Sequence, residues 1–432
     1  MQERRNKAQE KAVNSGTQED TRDYRSLRNQ ALASLRADRS RWEAAKLNSS
    51  NSPADVWRTA KDIVGWNNSG PPTQLYVNGK HMTSPKAIAS EMNRFFINKQ
   101  KRIISEIPIG DADPLIRLRE RMEGRQGSFK FHEVSEEEVL KLINCIKNSS
   151  STGVDWIDNQ CLKIAAAELT PAIAHIINLS ITTGVFPSSY KVSKLVPILK
   201  KGTNPLLCNS WRPINQLVAV GKIVERALFG QLVHYLEDNK LLHPSQHGGR
   251  AGHSTTTALI EMYDQWVEDM EEGKTVAILM IDQSAAFDVC DHSILQAKLQ
   301  LLLGLGDGTD PQGGGPVMQW FQSYLSGRLQ CTAVEGQLSP LQRLPACSVI
   351  QGGCGAGLLY SVLTSDLPDC IHQHQTNHFE APVHCNQDGD MTTFVEDSTS
   401  YYAHEDPRVV KEVTQKNYES TESYMHKSRF EL

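Results

Sequence analysis

Asp282, Glu396 and Asp397 are the residues whose type and setting best fit a reaction. Asp282 directly follows Val276 to Ile281, an aliphatic and β-branched run flanked by Gly273 and too short for a buried helix. That run predicts a buried strand of a central sheet. An acid at the end of a buried strand has the rigid support that a metal ligand needs, although one standing alone would as readily cap a helix. Its partner comes in Met391 to Tyr402, MTTFVEDSTSYY, which predicts a β-hairpin with the adjacent acids Glu396 and Asp397 at its tip. Adjacent carboxylates repel, so holding both in a half-buried turn calls for a cation. The three acids make a hard-oxygen set suited to Mg²⁺. Two such ions can clamp the attacking and leaving oxygens of a phosphoryl transfer.

The elements that must position these acids can be read outward from them. Residues 1 to about 50 alternate arginine with acids and predict a solvated helix. NSSNSP (48–53) and NNSGPP (67–72) are turn-rich breaks, with a short amphipathic helix over Val56 to Ile63 between them and another over Lys86 to Ile97. Ser135 and Glu138 form a capping box ahead of an apolar face of Val139, Ile143 and Ile146. Thr170-Pro171 predicts a helix start and Gly184 its end. KLVPIL (194–199) predicts a strand, placed at a sheet edge by Pro197, which cannot donate to a ladder. KKGTNPLLCNSWRPINQL predicts a basic loop leading to Arg212-Pro213. Helices are expected around Ile223 to Leu236 and after Ser254, the latter with Leu259, Tyr263, Trp266 and Met270 along one face. Beyond Asp282, a helix over Ser293 to Leu303, a short one over Trp320 to Leu325 and strand pieces in Cys331 to Val349 precede the glycine-rich IQGGCGAGLLY. The alternation predicts an α+β fold, an antiparallel acid-bearing sheet backed by helices behind a helical front half.

With 432 residues, 39% of them apolar, the chain has length for two or three units and a sizeable core. Its net charge of −5 does not mark a nucleic-acid binder, but the distribution is uneven. Residues 191–250 hold nine Lys/Arg and three acids, whereas 378–432 hold eleven acids and five bases. A basic lobe facing an acidic one fits a polyanion held by the first while metals occupy the second. No signal peptide or apolar run of ~20 residues is present, which argues against a membrane. The nine cysteines include no C-x-x-C pair, and their odd number suits reduced thiols inside a cell, in nucleus or cytoplasm. Cys370, His372, His374, His378, His384 and Cys385 cluster, but at spacings that fit no zinc pattern.

The ordered set LVPILKKG, WRPINQL, SQHGGRAGHSTTTAL, IDQSAAFDVCDHSIL, WFQSYLSGR, VIQGGCGAGLLY, SDLPD and FVEDST resembles the reverse transcriptase of non-LTR (LINE-like, jockey-type) retrotransposons. Short matches arise by chance, but eight in order are strong evidence. The resemblance implies a right-hand polymerase with fingers and an antiparallel palm sheet. In that reading, 1–54 is a charged helical extension, 55–190 a helical region leading into the fingers, 191–274 the fingers and 275–432 a palm ending before the thumb. It also implies that Asp282 is the first catalytic carboxylate and that Glu396 and Asp397 form the acidic pair, binding two Mg²⁺ ions, with Mn²⁺ as an alternative. Lys200, Lys201 and Arg212 would hold the triphosphate of a dNTP, a task that suits an arginine fork. Phe287 would lie beneath the sugar and clash with a 2′-hydroxyl, and Gln351 and Gly352 would lie against nucleotide and template. Arg250 would contact template or primer, and Asp288 would be structural.

The implied partners are an RNA template, a DNA primer or target and dNTPs, with no obligate protein partner. The chain departs from the family at Glu396, where an aspartate is usual, so the charge is kept on an arm one methylene longer. It also ends at HKSRFEL, and no room for an endonuclease domain precedes residue 55. The resulting expectation is an RNA-directed DNA polymerase domain of weak activity. The competing one is a catalytically decayed fragment that retains only nucleic-acid binding.

Overall fold

Free amides at helix starts must find acceptors, and several helices of this chain begin where a side chain supplies one. The structure is a computed structural model that describes all residues except 1, 16, 50–54, 58, 61–69, 108–112, 126, 150, 284, 311–312, 372–390 and 431–432. It divides into two units, Met1–Gly70 with Lys201–Thr203, and Pro71–Lys200 with Asn204–Leu432. The first unit holds α1 (Gln2–Ser15) and α2 (Gln18–Asn48), with Thr17 accepting from the Asp20 amide at the start of α2. The single helix expected there is therefore two. The helix expected over Val56 to Ile63 falls largely outside the described residues.

The second unit opens with the hairpin β1 (Leu75–Val77) and β2 (Lys80–Met82), followed by α3 (Pro85–Glu106) and α4 (Ile116–Met122). Next come α5 (Glu136–Cys145), α6 (Asn159–Ile164) and α7 (Ala166–Thr183). Ser135 and Glu138 form both bonds of the capping box that starts α5. The expected start at Thr170-Pro171 is wrong, because α7 begins at Ala166 and carries Pro171 in its interior. Proline there leaves a carbonyl without its helical donor, and the Thr170 hydroxyl in the same turn bonds the Ala166 carbonyl at 2.6 Å. Gly184 does end the helix, in the left-handed conformation that favours glycine.

Strands β3 (Val192–Leu199) and β4 (Trp211–Leu217) are antiparallel, so WRPINQL is a strand and not the expected loop. After α8 (Ala219–Asp238), α9 (Thr255–Glu271), β5 (Thr275–Ile281), α10 (His292–Leu302) and α11 (Gly315–Leu325) comes β6 (Leu329–Val334), parallel to β3 at Val192 to Leu195. β7 (Gln337–Leu338) and β8 (Gln342–Arg343) pair with β6. β3 is thus internal along its first half and an edge only around Pro197, which corrects the placement of the whole strand at an edge. Pro197 faces Pro213, so neither residue is asked for a donor that it lacks.

The remaining elements are α12 (Ala356–Leu363), β9 (Met391–Phe394), β10 (Asp397–His404) and α13 (Pro407–Lys427). A three-stranded antiparallel sheet has the order β5-β10-β9. β5 is its edge, not a buried central strand, and Met280 is 75% exposed. The aliphatic run marked a strand correctly, but apolar composition alone does not say how many neighbours a strand has. One core spans α5, α7, α8, α10, α11 and α12, with Trp320 and Tyr324 stacked one helical turn apart among Phe186 and Phe229. A second core joins α3 to the β4-β3-β6 sheet through Ile88, Met92, Phe96, Leu195 and Trp211. The architecture is α+β, with an antiparallel acid-bearing sheet and a mixed β4-β3-β6 sheet. Among the described residues no helix is long and apolar enough to cross a membrane.

Candidate active site

The acid-bearing hairpin is closed by a two-residue loop, Val395-Glu396, between Phe394 and Asp397. Val395 has φ +57°, a conformation costly for a β-branched residue and held only where neighbours enforce it. β10 pairs with β5 up to Ser398 opposite Ile281, and one further step in this register sets Asp397 opposite Asp282. Opposed residues of an antiparallel pair share a face, so the register brings both acids to one end of the sheet. Glu396 is half-buried; burial raises its carboxyl pKa, and repulsion from Asp397 and Asp282 raises it further. The three sequence-predicted acids therefore share one field.

Oxygen-only donors in mutual repulsion fit a hard divalent cation. Even so, among the described residues no three His, Cys, Asp or Glu side chains are gathered into a metal-holding cluster. Cys370 is buried with its thiol on the Asp366 carbonyl, and the other members of the His/Cys cluster lie outside the described residues.

The hairpin is held by the SQHGGR segment (245–250), of which the sequence singled out Arg250 alone. Ser245 and His247 exchange backbone hydrogen bonds with Thr393 of β9, at 2.9 and 2.8 Å. Between them, buried Gln246 turns its side-chain oxygen to the amides of Val395 (3.0 Å) and Gly248 (2.7 Å). A Cβ on Gly248 would stand 2.5 Å from the Val395 side chain and 2.6 Å from its backbone nitrogen. Glycine there allows the loop to lie directly under the acidic turn. Arg250 is the brace of this segment. Its guanidinium grips Glu237 at 2.8 and 3.0 Å and donates to the carbonyls of His243, Pro244 and Gln246. These bonds make Arg250 a brace of the loop beneath the acidic turn.

A cavity of about 320 Å³ lies between α3, the β3–β4 strands and the turn after Asp282. Lys99, Lys200, Arg212, Asp288 and Gln351 all line it. Lys200 has its pKa lowered by burial and by the nearby charges of Lys99 and Arg212, the mark of clustered cations. Lys201 groups with the N-terminal unit. Asp288 is exposed to solvent in the cavity, yet the protein packed around the cavity still desolvates its carboxyl, which pushes its pKa up to about 6 against the pull of Lys99. The side chain expected to be structural is therefore a cavity wall. Phe287 does not line the cavity; it packs partly buried on the core, 5.3 Å from the Tyr360 ring, and its carbonyl accepts from Val349.

The glycine-rich loop is anchored from beneath. Glu225 of α8 is buried, accepts from the Cys354 amide at 2.6 Å and the Tyr324 hydroxyl at 3.2 Å, and has its pKa raised by burial. A Cβ on Gly355 would meet the Phe229 ring at 2.3 Å, and Gly352 has φ +99° with the Asn215 carbonyl close by. Glu225 gave no local signal in the sequence, since its partners lie 99 and 129 positions away.

Comparison with known proteins places these features in a family. The reverse transcriptase (RNA-dependent DNA polymerase) family profile matches residues 198–432. The RNA-directed DNA polymerase from mobile element jockey of Drosophila funebris is 28% identical over 236 residues, 55% of this chain and 25% of that protein. The probable RNA-directed DNA polymerase from transposon BS of Drosophila melanogaster is 27% identical over 243 residues, 56% of this chain and 26% of that protein. The Pol polyprotein of the type-1 retrotransposable element R2 of Popillia japonica is 28% identical over 152 residues, 34% and 20% of the two chains. In the jockey and BS comparisons the match spans about a quarter of the relative's length.

Proposed function

This chain belongs to the reverse transcriptase family, as a domain of the LINE-like retrotransposon type, and from that premise we propose that it copies an RNA template into DNA by nucleotidyl transfer. The observation that carries the reading is the cavity in which Lys200, Arg212 and Gln351 meet, walled on one side by Ala285 and Asp288 of the turn after Asp282. Residues 191–274 act as fingers and 275–432 as palm. Lys200 and Arg212 hold the triphosphate of a dNTP. Gln351 and Gly352 lie against the nucleotide, on a loop that Glu225 keeps still. Phe287, fixed against Tyr360, sits beneath the sugar and excludes a 2′-hydroxyl.

Asp282, Glu396 and Asp397 would hold two Mg²⁺ ions, or Mn²⁺. When bound, such ions activate the primer 3′-hydroxyl and steady the leaving pyrophosphate. The partners are an RNA template, a DNA primer or target and dNTPs, and the site of action is nuclear or cytoplasmic.

Primer extension on poly(rA)/oligo(dT), first with Mg²⁺ and then with Mn²⁺, tests the reading. Extension that Asp282→Ala abolishes is expected. No extension with either ion, from folded chain that still binds the duplex, would sink it.

A further inference from the structure

We propose that Lys99, on α3 and outside the 198–432 region that the family profile matches, is a third phosphate-binding cation of the nucleotide cavity. The inference rests on the nucleotide reading of that cavity. Three cations from three segments line it: Lys99 from α3, Lys200 after β3 and Arg212 from β4. Among the described residues the single acid in the wall is Asp288, and neither Lys99 nor Arg212 makes an ion pair. Lys99 and Arg212 both repel Lys200, and with one acid among three cations a polyanion relieves that repulsion.

The position of Lys99 is also fixed. Phe96, Gln100 and Ile103 form the buried stripe of α3, and Lys99 stands at its margin, facing the cavity. Gln100 donates its amide to the Asp288 carbonyl at 2.7 Å and to the Cys347 carbonyl at 3.0 Å. One side chain thus ties α3 both to the turn after Asp282 and to the segment leading into Gln351. This bond sets the rotation of α3, and with it the reach of Lys99.

A phosphate at this place could belong to the incoming nucleotide or to the template backbone. The shared cavity with Gln351 and Arg212 favours the nucleotide. The test uses the full chain on poly(rA) with dideoxy-terminated oligo(dT), and measures dTTP, tripolyphosphate and duplex affinities for wild type, Lys99→Gln, Lys99→Arg and Arg212→Gln. Thermal melting confirms that each variant is folded. Lys99→Gln should weaken dTTP and tripolyphosphate by about 10-fold, the size of one lost charge-assisted hydrogen bond, and leave duplex affinity unchanged. Lys99→Arg should recover most of the loss. Weaker duplex binding with unchanged dTTP affinity would overturn the assignment in favour of the template strand. If Arg212→Gln weakens dTTP and Lys99→Gln does not, the role of Lys99 is wrong and the nucleotide reading stands. If neither variant changes dTTP affinity, the nucleotide reading of the cavity itself fails.

Discussion

At the scale of single residues, the departure that matters most is Glu396. Its carboxylate sits on a longer arm than the family's aspartate, in a loop whose backbone is already constrained at Val395. A displacement of about 1 Å in a positioned reaction costs on the order of 10²-fold. Glu396→Asp is therefore expected to raise the Mg²⁺-dependent primer-extension rate at least ~10-fold, the low side of that cost. Equal rates for the two forms would show the longer arm to be harmless. Asp288 makes a second residue-scale expectation. In the fold it keeps its proton up to about pH 6, whereas an unfolded aspartate loses it near pH ~4. The folded state thus binds the extra proton, so this residue's contribution favours the fold as pH drops through 6 and is lost as pH rises. The groups facing it are Lys99 from α3, which opposes the shift, and Lys200 and Arg212 across the cavity. Urea midpoints should show Asp288→Asn gaining on wild type at neutral pH, with the gap closing as pH falls from about 6 to ~4. A pH-independent gap would refute the raised pKa.

At the scale of elements, the acid hairpin depends on a loop that is remote in sequence. Gln246→Ala leaves the amides of Val395 and Gly248 without their buried acceptor, a loss of about 1–3 kcal/mol for each unsatisfied group. The expected outcome is a lower kcat for extension with little change in the KM for dNTP, because the hairpin shifts while the cation cavity does not. A change in KM alone would put Gln246 in the wrong role. Such couplings show what sequence could and could not disclose. The capping box at Ser135, the Gly184 stop and the strand before Asp282 were legible because each is written in a few consecutive residues. The edge position of β5, the strand nature of WRPINQL and the helix running through Pro171 were not, since each depends on neighbours supplied elsewhere. The acids at the shared end of β5 and β10 could be picked out from their types and order. Gln246, Glu225 and Lys99 could not, because their local sequence matches that of ordinary loop or helix residues.

At the scale of the whole second unit, one buried network links the segments around the acid sheet. Lys298 of α10 is fully buried and donates to the Leu363 carbonyl at 2.7 Å, to the Tyr424 hydroxyl at 3.0 Å and to Asp366. The Tyr424 hydroxyl in turn donates to Asp366 at 2.6 Å, and its pKa is raised well above the usual value by burial and by that carboxylate. α10, the turn after α12 and α13 are thereby joined at one point. α13 also covers the acid sheet, where Val410 and Val413 pack on Tyr402 of β10 and Ala277 of β5. An ion pair of this kind adds little over an apolar replacement, yet breaking it from one side is costly, because the remaining charge has no water to turn to. Lys298→Met should therefore destabilise the unit by about 3–5 kcal/mol in chemical denaturation, and loosen α13 over the sheet. Adding Asp366→Leu removes the stranded carboxylate, so the double variant should recover a large part of that loss and much of the extension activity. If Lys298→Met alone cost less than ~1 kcal/mol, the value of an exposed pair, Asp366 would have to reach water, and the network would not be what holds α13 in place.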